Sequence, residues 1–458
     1  MEALLGEIMV TASKVDWVCD FGEEALAPEK RDPPTVMLHK TAQVEWHPLG
    51  VLGVLAPWNY PFHNMYNHVV SGLFAGNAVV IKPSEYCAWC CDAYMQLIQA
   101  VLAKAGHSPD LVQVVQGFAD TGAALVSGGV DKVIFTGSPG VGKHIMRGAA
   151  DTLTPVVLEL GGKDPFVVTD GADVNGVVQI ALRGAYQNCG QNCVGAERFY
   201  VYEGVYEQFV GQVVPIVKNM KQGPPVAPDG SWSPVDLGAS TTQAQVQHVD
   251  RLVKDAIAHG AKALCGGRIA TADDLFGSNA AEAARSGAFY MPTVLVGVTQ
   301  DMEIANEEVF GPVMTIIKVA GNSDAECVRM INSTDYGLGS SVFCKDVTRA
   351  NALADKIYTG MTCVNDFGVG YLVQALPFGG VKASGFNRFA GKEGLRECCL
   401  MKSVVSDRFG ALGIRTGIPA QISYPFNAGA AIPFTNGLID FQSAPTAAGK
   451  AKGIMKLM

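Results

Sequence analysis

The sequence predicts an α/β fold with two doubly wound lobes and a small β arm. Short apolar runs rich in β-branched residues alternate with helical stretches from about residue 51 onward, which is typical of a parallel sheet with helices on both faces. A second alternation of the same kind begins near Gly161. The chain has 458 residues, of which 48% are apolar, so it is long enough to bury a large core.

The elements of the first lobe follow from apolar runs that end at glycine or proline. One predicted helix ends at Gly76 and a second ends at Gly106. The predicted strands are 51–56, 77–81, 111–115, 132–136 and 155–160, and the two helices are 63–75 and 86–105.

The second lobe and the ends of the chain are predicted in the same way. Residues 36–49 alternate apolar and polar side chains and are predicted to form an exposed hairpin that protrudes or pairs with another subunit. From about residue 407 the chain is rich in Gly, Ala and Pro, with weak periodicity. The predicted strands of this lobe are 165–169, 198–202, 313–318 and 340–344, and its helices are about 174–188, 204–219 and 241–259.

Charge and cysteine usage exclude several classes of function. Lys plus Arg total 34 against 43 Asp plus Glu, which argues against a nucleic-acid partner. No apolar stretch is long enough for a membrane span, and Glu2 and Glu7 stand where an export signal carries basic residues. We therefore expect an intracellular, cytoplasmic protein with reduced thiols. Cys87, Cys90 and Cys91 resemble half of a zinc site, but no second half follows, so we predict buried thiols and no metal site.

Two residues suggest covalent chemistry. Cys193 follows a predicted helix in the segment GQNC, and Glu159 lies inside the apolar run VVLEL, where an acid is costly to bury unless it is paired or functional. A thiol nucleophile and a carboxylate that activates water suit a two-step acyl transfer. The alternatives are an ordinary core thiol and a glutamate held in a buried salt bridge.

Other polar residues follow strands that should end at one edge of the first sheet, where ligands bind in such folds. Asn59 could donate its amide to a developing oxyanion, and Lys82 with Glu85 could hold the two hydroxyls of a ribose. The alternatives are a simple turn and a solvated ion pair.

Residues 137–143 follow a strand and open a helix, which suits phosphate binding at a helix N-terminus. The glycine and lysine spacing is close to that of a nucleotide-binding P-loop. However, His144 stands where magnesium binding needs Ser or Thr. A P-loop nucleotidase is therefore a competing hypothesis.

Taken together and in order, seven motifs resemble the NAD(P)-dependent aldehyde dehydrogenase superfamily from about Val44 to about Ser406. The tail and the middle region are similar to the plant and fungal branch called family 22. The motifs are PWNYP at 57–61, IKPSE at 81–85, FTGSPGVGKH at 135–144, LELGGK at 158–163, GQNC at 190–193, EEVFGP at 307–312 and PFGGVKASG at 377–385.

The resemblance implies roles for individual residues. Cys193 is the nucleophile, Glu159 the general base and Asn59 the oxyanion donor together with the backbone N–H of Cys193; Lys82 is placed in the catalytic set and in the cofactor set. Glu308 is the expected ligand of the nicotinamide ribose, with Phe310 packed nearby. The full set of expected cofactor contacts is Pro57, Trp58, Lys82, Ser84, Glu85, Gly137, Ser138, Leu160, Gly161, Glu308 and Phe310.

The resemblance also implies a cofactor, a product and partners. Glu85 would repel a 2′-phosphate, so we expect NAD rather than NADP. Glu159 favours hydrolysis to a carboxylic acid over transfer to coenzyme A. The expected partners are a small-molecule aldehyde and further copies of the chain, as a homodimer or homotetramer. The expected domains are an NAD-binding lobe at 1–32 and 50–161, a catalytic lobe at 162–385, an oligomerisation arm at 33–49 and 397–406, and a tail at 407–458.

The sequence departs from the family pattern at its start and in its substrate tunnel. Only about 50 residues precede the strand that leads to WNYPF, which predicts an incomplete NAD-binding lobe and leaves an inactive or structural relative as the alternative function. In family 22 a longer form begins with a membrane-anchoring segment, so a longer form is expected on an endomembrane. Asn64 and Asn67 suggest a more polar or wider tunnel entrance, and Tyr60 with Leu372 or Val373 are further tunnel candidates.

Overall fold

The computed structural model describes residues 2–277 and 279–457. The chain forms two compact units. One unit comprises the residues up to Ala25 together with Pro48–Cys399, and the other comprises Leu26–His47 together with the residues from Leu400 onward. The strands of the described residues are β1 (Glu29–Arg31), β2 (Lys40–Pro48), β3 (Val51–Ala56), β4 (Ala78–Pro83), β5 (Val112–Val114), β6 (Lys132–Gly137), β7 (Val156–Leu160), β8 (Asp164–Val168), β9 (Ala196–Tyr202), β10 (Lys262–Cys265), β11 (Thr293–Val296), β12 (Val313–Val319), β13 (Ser341–Phe343), β14 (Cys363–Val364), β15 (Gly385–Phe386) and β16 (Cys399–Asp407).

The α-helices cover both large sheets, as the predicted doubly wound fold requires, and the fold class is confirmed. A helical segment, Ala3–Met9, precedes the first of them. The helices are α1 (Val10–Leu26), α2 (Pro61–Phe74), α3 (Ala88–Lys104), α4 (Ala119–Ser127), α5 (Pro139–Ala150), α6 (Val174–Tyr186), α7 (Glu203–Lys218), α8 (Gln243–Ala258), α9 (Ala280–Arg285), α10 (Asp324–Asn332), α11 (Val347–Ala354), α12 (Val369–Leu372), α13 (Gly391–Glu397), α14 (Ala428–Ser443) and α15 (Ala447–Leu457).

The first sheet of the larger unit has six strands in the order β15-β7-β6-β3-β4-β5. All its pairings are parallel except that of β15, which runs antiparallel to β7. Leu52, Val79 and Val133 are fully buried in its core. The parallel register places Thr136 opposite Glu159, and the ends of β3, β6 and β7 therefore lie along one edge.

The second sheet of the larger unit has seven strands in the order β10-β11-β12-β9-β8-β13-β14. Its centre contains buried aromatic residues, because Phe166, Phe199 and Tyr200 have no exposed surface, and it also buries the charged side chain of Arg198 on β9. Strands β10, β11 and β14 were not predicted. Each has at most four residues, and β10 exposes half of its side chains, so its apolar signal is weak.

The smaller unit contains a three-stranded sheet in the order β1-β2-β16. The prediction of a hairpin within 36–49 is wrong, because β2 crosses most of that segment as one strand and pairs antiparallel with β1. The chain reverses instead around Pro33 and Pro34, which lie between the two strands and cannot donate ladder hydrogen bonds. The tail, whose periodicity is weak, contains α14 and α15.

The described ranges contain neither a membrane-spanning helix nor a cluster of metal-ligating side chains. No helix in residues 2–277 and 279–457 is both long and apolar enough to cross a bilayer. In the same ranges, no group of three or more His, Cys, Asp or Glu side chains could hold a metal ion. Cys87 and Cys91 are buried free thiols, and Cys90 is partly exposed.

Candidate active site

Two cavities of the larger unit meet at Cys193. One has a volume of about 210 Å³ and is bordered by aromatic side chains. The other has a volume of about 510 Å³ and lies along the ends of β3, β6 and β7. Asn59, Thr136, Glu159 and Cys193 line both cavities. A small molecule entering one cavity therefore meets a second molecule in the other beside this thiol.

A tight turn between α6 and β9 presents the thiol. Asn188, Cys189 and Gly190 have φ values of 53°, 58° and 72°, in the left-handed region. A Cβ on Gly190 would lie 2.1 Å from the carbonyl oxygen of Gly311, so the close approach of these two segments requires glycine.

Side-chain amides hold this turn in place. Asn188 Nδ2 donates to the carbonyl oxygen of Asn59 at 2.9 Å. Gln191 Oε1 accepts from the backbone N–H of Thr241 at 2.8 Å, and Gln191 Nε2 donates to Asn188 O at 3.0 Å. The sequence motif identified Cys193 alone, and the structure shows that its preceding residues fix where the thiol points.

Glu159 is buried on β7, where only 2% of its surface is exposed. Its Oε1 has no hydrogen-bond partner in the described residues. Burial raises the pKa of Glu159 to about 7, although interactions with Cys193 and Thr136 oppose this shift. A carboxyl group with a pKa near neutrality is suited to general base catalysis.

The pKa of the Cys193 thiol is shifted in the same direction. Burial, and then the negative charge of Glu159, raise the pKa of Cys193 well above its ordinary value. Both side chains line the same two cavities, so the carboxylate of Glu159 is the neighbouring group that can accept the thiol proton. A thiol with a base beside it is an arrangement that can activate a nucleophile.

Two N–H groups are available near the thiol for an oxyanion. Asn59 Nδ2 donates to Gln191 O over a long 3.4 Å, and its Oδ1 accepts from Asn64 Nδ2 at 3.2 Å, which orients the amide. The backbone N–H of Cys193 donates to no partner in the described part of the chain. Both N–H groups can therefore donate a strong hydrogen bond to a new acceptor such as an oxyanion.

The larger cavity holds most of the expected cofactor contacts. Its lining includes Pro57, Trp58, Gly137, Ser138, Gly161, Glu308 and Phe310. Leu160, Lys82, Ser84 and Glu85 are not part of the lining. Leu160 instead packs against α5, where a Cβ on Gly142 would lie 2.8 Å from its Cδ2.

Lys82, Ser84 and Glu85 lie at the end of β4, beside the end of β3. Lys82 Nζ is 3.4 Å from Glu85 Oε2, and Ser84 Oγ is 3.5 Å from the same oxygen. No described contact joins Lys82 to Cys193. Lys82 thus lies with Ser84 and Glu85 at the end of β4 and lines neither cavity.

Glu308 lies against the glycine turn that follows Glu159. Its Oε1 accepts from the backbone N–H of Gly162 at 2.8 Å, and a Cβ on Gly161 would lie 2.3 Å from its Oε2. Burial, and then the charge of Glu197, raise the pKa of Glu308 well above its ordinary value. Beside it, the rings of Trp58 and Phe310 pack edge to face at 5.6 Å.

The larger cavity fits a dinucleotide. It lies at the carboxyl ends of parallel strands, and helix α5 opens into it with Pro139 as its first residue and Ser138 as its cap. The Cβ position of Gly140 in that first turn faces open space. A pyrophosphate in this cavity would therefore meet a helix N-terminus, and the hydroxyls of a ribose would meet Glu308.

A buried ion pair that was not predicted from the sequence stabilises the part of the site beside Glu308 and Phe310. Lys163 Nζ is 2.6 Å from Glu197 Oε2, and neither side chain has more than 8% of its surface exposed. The Glu197 carboxylate also accepts from the backbone N–H groups of Val309 and Phe310, each at 2.8 Å. The LELGGK motif contains Lys163, but Glu197 comes from β9 and carries no sequence signal of its own.

Replacing Glu197 by alanine is expected to lower the free energy of unfolding by about 3–5 kcal/mol, because a buried Lys163 ammonium is left unpaired. The matched control is Glu303→Ala, which removes the exposed Arg251–Glu303 pair and should cost at most about 1 kcal/mol. Urea denaturation followed by circular dichroism measures both. An equal fall in the free energy of unfolding for the two variants would show that the buried pair does not stabilise this part of the site.

The smaller cavity has a mixed wall that is mainly aromatic and aliphatic. Tyr60, Asn64 and Leu372 line it as predicted, whereas Asn67 is buried elsewhere and Val373 is absent from the wall. Lining residues that the sequence analysis missed are Leu5, Met9, Val10, His63, Arg183, Phe367, Tyr371, Phe378 and Phe389.

His63 is a buried polar residue of that wall. Its Nδ1 lies 2.8 Å from Thr11 Oγ1. Burial lowers the pKa of His63 to about 3, so the ring is neutral at physiological pH. The wall therefore presents no imidazolium charge to an incoming aldehyde.

Comparison with known proteins agrees with this geometry. The aldehyde dehydrogenase family model matches residues 1–404. An aldehyde dehydrogenase-like protein of Schizosaccharomyces pombe is 38% identical over 441 residues, which cover 96% of this chain and 81% of the relative. Betaine aldehyde dehydrogenase of Staphylococcus aureus in complex with NAD+ has a TM-score of 0.76 and 29% identity, covering 88% of this chain and 75% of that one. An NADP-dependent enzyme of Escherichia coli has a TM-score of 0.78 and 28% identity, covering 88% of this chain and 78% of that one. The family 22 branch stays a prediction. The chain belongs to the aldehyde dehydrogenase family.

Proposed function

We propose that this protein oxidises an aldehyde to a carboxylic acid with NAD, with Cys193 as nucleophile and Glu159 as general base. Family membership supports the coarser statement, an oxidoreductase acting on aldehydes with NAD or NADP. The observation that carries the finer proposal is the convergence of Cys193, Glu159 and Asn59 where the two cavities meet. Nothing in the structure or the comparisons favours the inactive alternative.

The first step joins the thiol to the substrate. The aldehyde enters through the smaller cavity. Cys193 Sγ then attacks its carbonyl carbon, and the thiol proton passes to Glu159. The carbonyl oxygen becomes an oxyanion, which Asn59 Nδ2 and the backbone N–H of Cys193 can hold. Each such donor is typically worth about 3–4 kcal/mol of transition-state stabilisation.

The second step leaves a thioester on Cys193. A nicotinamide bound in the larger cavity would accept a hydride from the carbon bound to sulfur. The residues that would hold the dinucleotide are Glu308 at the ribose, the N-terminus of α5 at the pyrophosphate and the Lys82–Glu85 pair at the second ribose.

The last step returns the free enzyme. Once Glu159 has passed the thiol proton to solvent, its carboxylate removes a proton from water, and the resulting hydroxide attacks the thioester carbon. The carbon–sulfur bond breaks, Cys193 is restored and a carboxylic acid leaves. The unpaired Oε1 of Glu159 is an acceptor suited to that water.

We further propose that the region around the six-stranded sheet is the cofactor lobe and the region around the seven-stranded sheet is the catalytic lobe. The sheet β1-β2-β16 is the proposed oligomerisation arm of a dimer or tetramer. The test of the function is the formation of NADH and acid by the purified chain with NAD and a reactive medium-chain aldehyde. No product with either NAD or NADP across aldehydes of several lengths would contradict the proposal.

Replacing Glu85 by glutamine is expected to raise kcat/KM for NADP relative to NAD by roughly tenfold, because one negative charge near the expected 2′-phosphate is removed. Initial rates with each cofactor at a saturating aldehyde concentration measure this ratio. Glu23→Gln, an exposed glutamate on α1, is the control and should leave the ratio unchanged. A wild-type preference for NADP would reject the proposed role of Glu85.

A further inference from the structure

The C-terminal tail, defined as residues 409–458, exposes many large apolar side chains. The exposed fractions are 75% for Leu412, 73% for Ile418, 60% for Phe426, 58% for Ile432 and 68% for Met455. An apolar surface of this extent is typical of an interaction site. The match to the aldehyde dehydrogenase family ends at residue 404, so the proposed catalytic function does not account for the tail.

Close packing of the helices α14 and α15 explains why large side chains of these two helices remain outside. A Cβ on Gly437 would lie 2.8 Å from Lys456 Cβ, and a Cβ on Gly453 would lie 2.4 Å from the backbone nitrogen of Phe441. The two backbones therefore meet at glycines, with little room for large side chains between them. Ile432 and Ile439 are seven residues apart, on one face of α14, and both are exposed.

The charge of the tail is opposite to that of the whole protein. Residues 409–458 contain four basic residues and one acidic residue, whereas the chain has a net charge of −9. The acidic residue, Asp440, is paired with Lys456 at 2.6 Å. Lys450 and Lys452 on α15 are exposed and have no ion pair in the described residues. The tail thus combines apolar surface with unpaired positive charge.

We propose that the tail attaches this protein to an anionic lipid surface, with α14 and α15 lying in the bilayer interface. Exposed isoleucine and methionine enter the boundary between headgroups and acyl chains, and Lys450 with Lys452 contacts anionic headgroups. Neither helix is long and apolar enough to span a bilayer, which fits an interfacial position. Because the protein has a net negative charge, an anionic lipid surface does not attract the rest of the molecule. The positive charge of the tail therefore determines which face of the protein meets the lipid.

Vesicle flotation of the full chain tests this proposal. Binding is expected to vesicles of phosphatidylcholine and phosphatidylserine in equal parts, weaker binding to phosphatidylcholine alone, and release at high salt. The double variant Lys450→Gln/Lys452→Gln should partition at least about tenfold more weakly. Ile439→Asp/Met455→Asp should reduce binding to both kinds of vesicle. The matched control is Lys104→Gln/Lys392→Gln, two exposed lysines outside the tail, which should bind like the wild type.

Three results would overturn the proposal. They are no flotation with anionic vesicles, an equal loss of vesicle binding in the control variant, and vesicle binding that is unchanged by the tail substitutions. Light scattering of the same variants tests the other occupant, a second copy of the chain. A fall in mass without any vesicle binding would assign the tail to self-association. Circular dichroism verifies that each variant is folded. Flotation requires no turnover, so the outcome is independent of the proposed function.

Discussion

Replacing Cys193 by alanine is expected to reduce aldehyde oxidation by at least about 10⁴-fold, because no other described thiol lines both cavities. NADH formation followed by absorbance measures the loss. Cofactor binding should persist, since its proposed contacts lie on β3, α5 and the turn around Glu308. Titration of the variant with NAD by calorimetry separates this result from misfolding.

The matched control is Cys265→Ala. Cys265 lies on β10, it is partly exposed like Cys193, and it lines neither cavity. Its loss should leave the rate of oxidation unchanged. A Cys193→Ala variant that retains more than a tenth of the wild-type rate would show that the thiol is not the nucleophile.

Glu159→Gln is expected to slow steady-state turnover by roughly 10²–10⁴-fold while still allowing one fast turnover per site. The glutamine cannot remove a proton from water, so the thioester on Cys193 should accumulate. Rapid mixing should show a burst of NADH equivalent to the enzyme concentration, and mass spectrometry should show the acylated chain. Glu282→Gln, an exposed glutamate on α9, is the control.

The pH profile gives an independent readout of the same residue. The pKa of Glu159 is about 7, so the fraction of carboxylate falls about tenfold for each pH unit well below that value. If hydrolysis limits the wild-type rate, kcat should rise with pH to about 7 and then level. The Glu159→Gln profile should lack this rise. An unchanged steady-state rate in the variant would reject the role of base.

Sequence reasoning located the groups that follow parallel strands. Asn59, Gly137 and Glu159 lie on or just after β3, β6 and β7, and the parallel register brings those ends to one edge, as the alternation of strands and helices predicts. The turn of Cys193 was located through its motif, since its left-handed backbone has no apolar periodicity.

Other parts of the site had no comparable signal. Tyr371 comes from the short helix α12, Phe389 comes from an irregular segment far along the chain, and Leu5 comes from the helical segment before α1. Their positions depend on tertiary packing, which neither periodicity nor spacing encodes. Glu197 reads as an ordinary strand residue until its pairing with Lys163 is seen.

The proposed nucleophile and the proposed base belong to different sheets. Glu159 lies on a strand of the six-stranded sheet, whereas Cys193 precedes β9 of the seven-stranded sheet. Neither sheet alone supplies both groups. The proposed activity therefore requires both sheets to be folded and packed together.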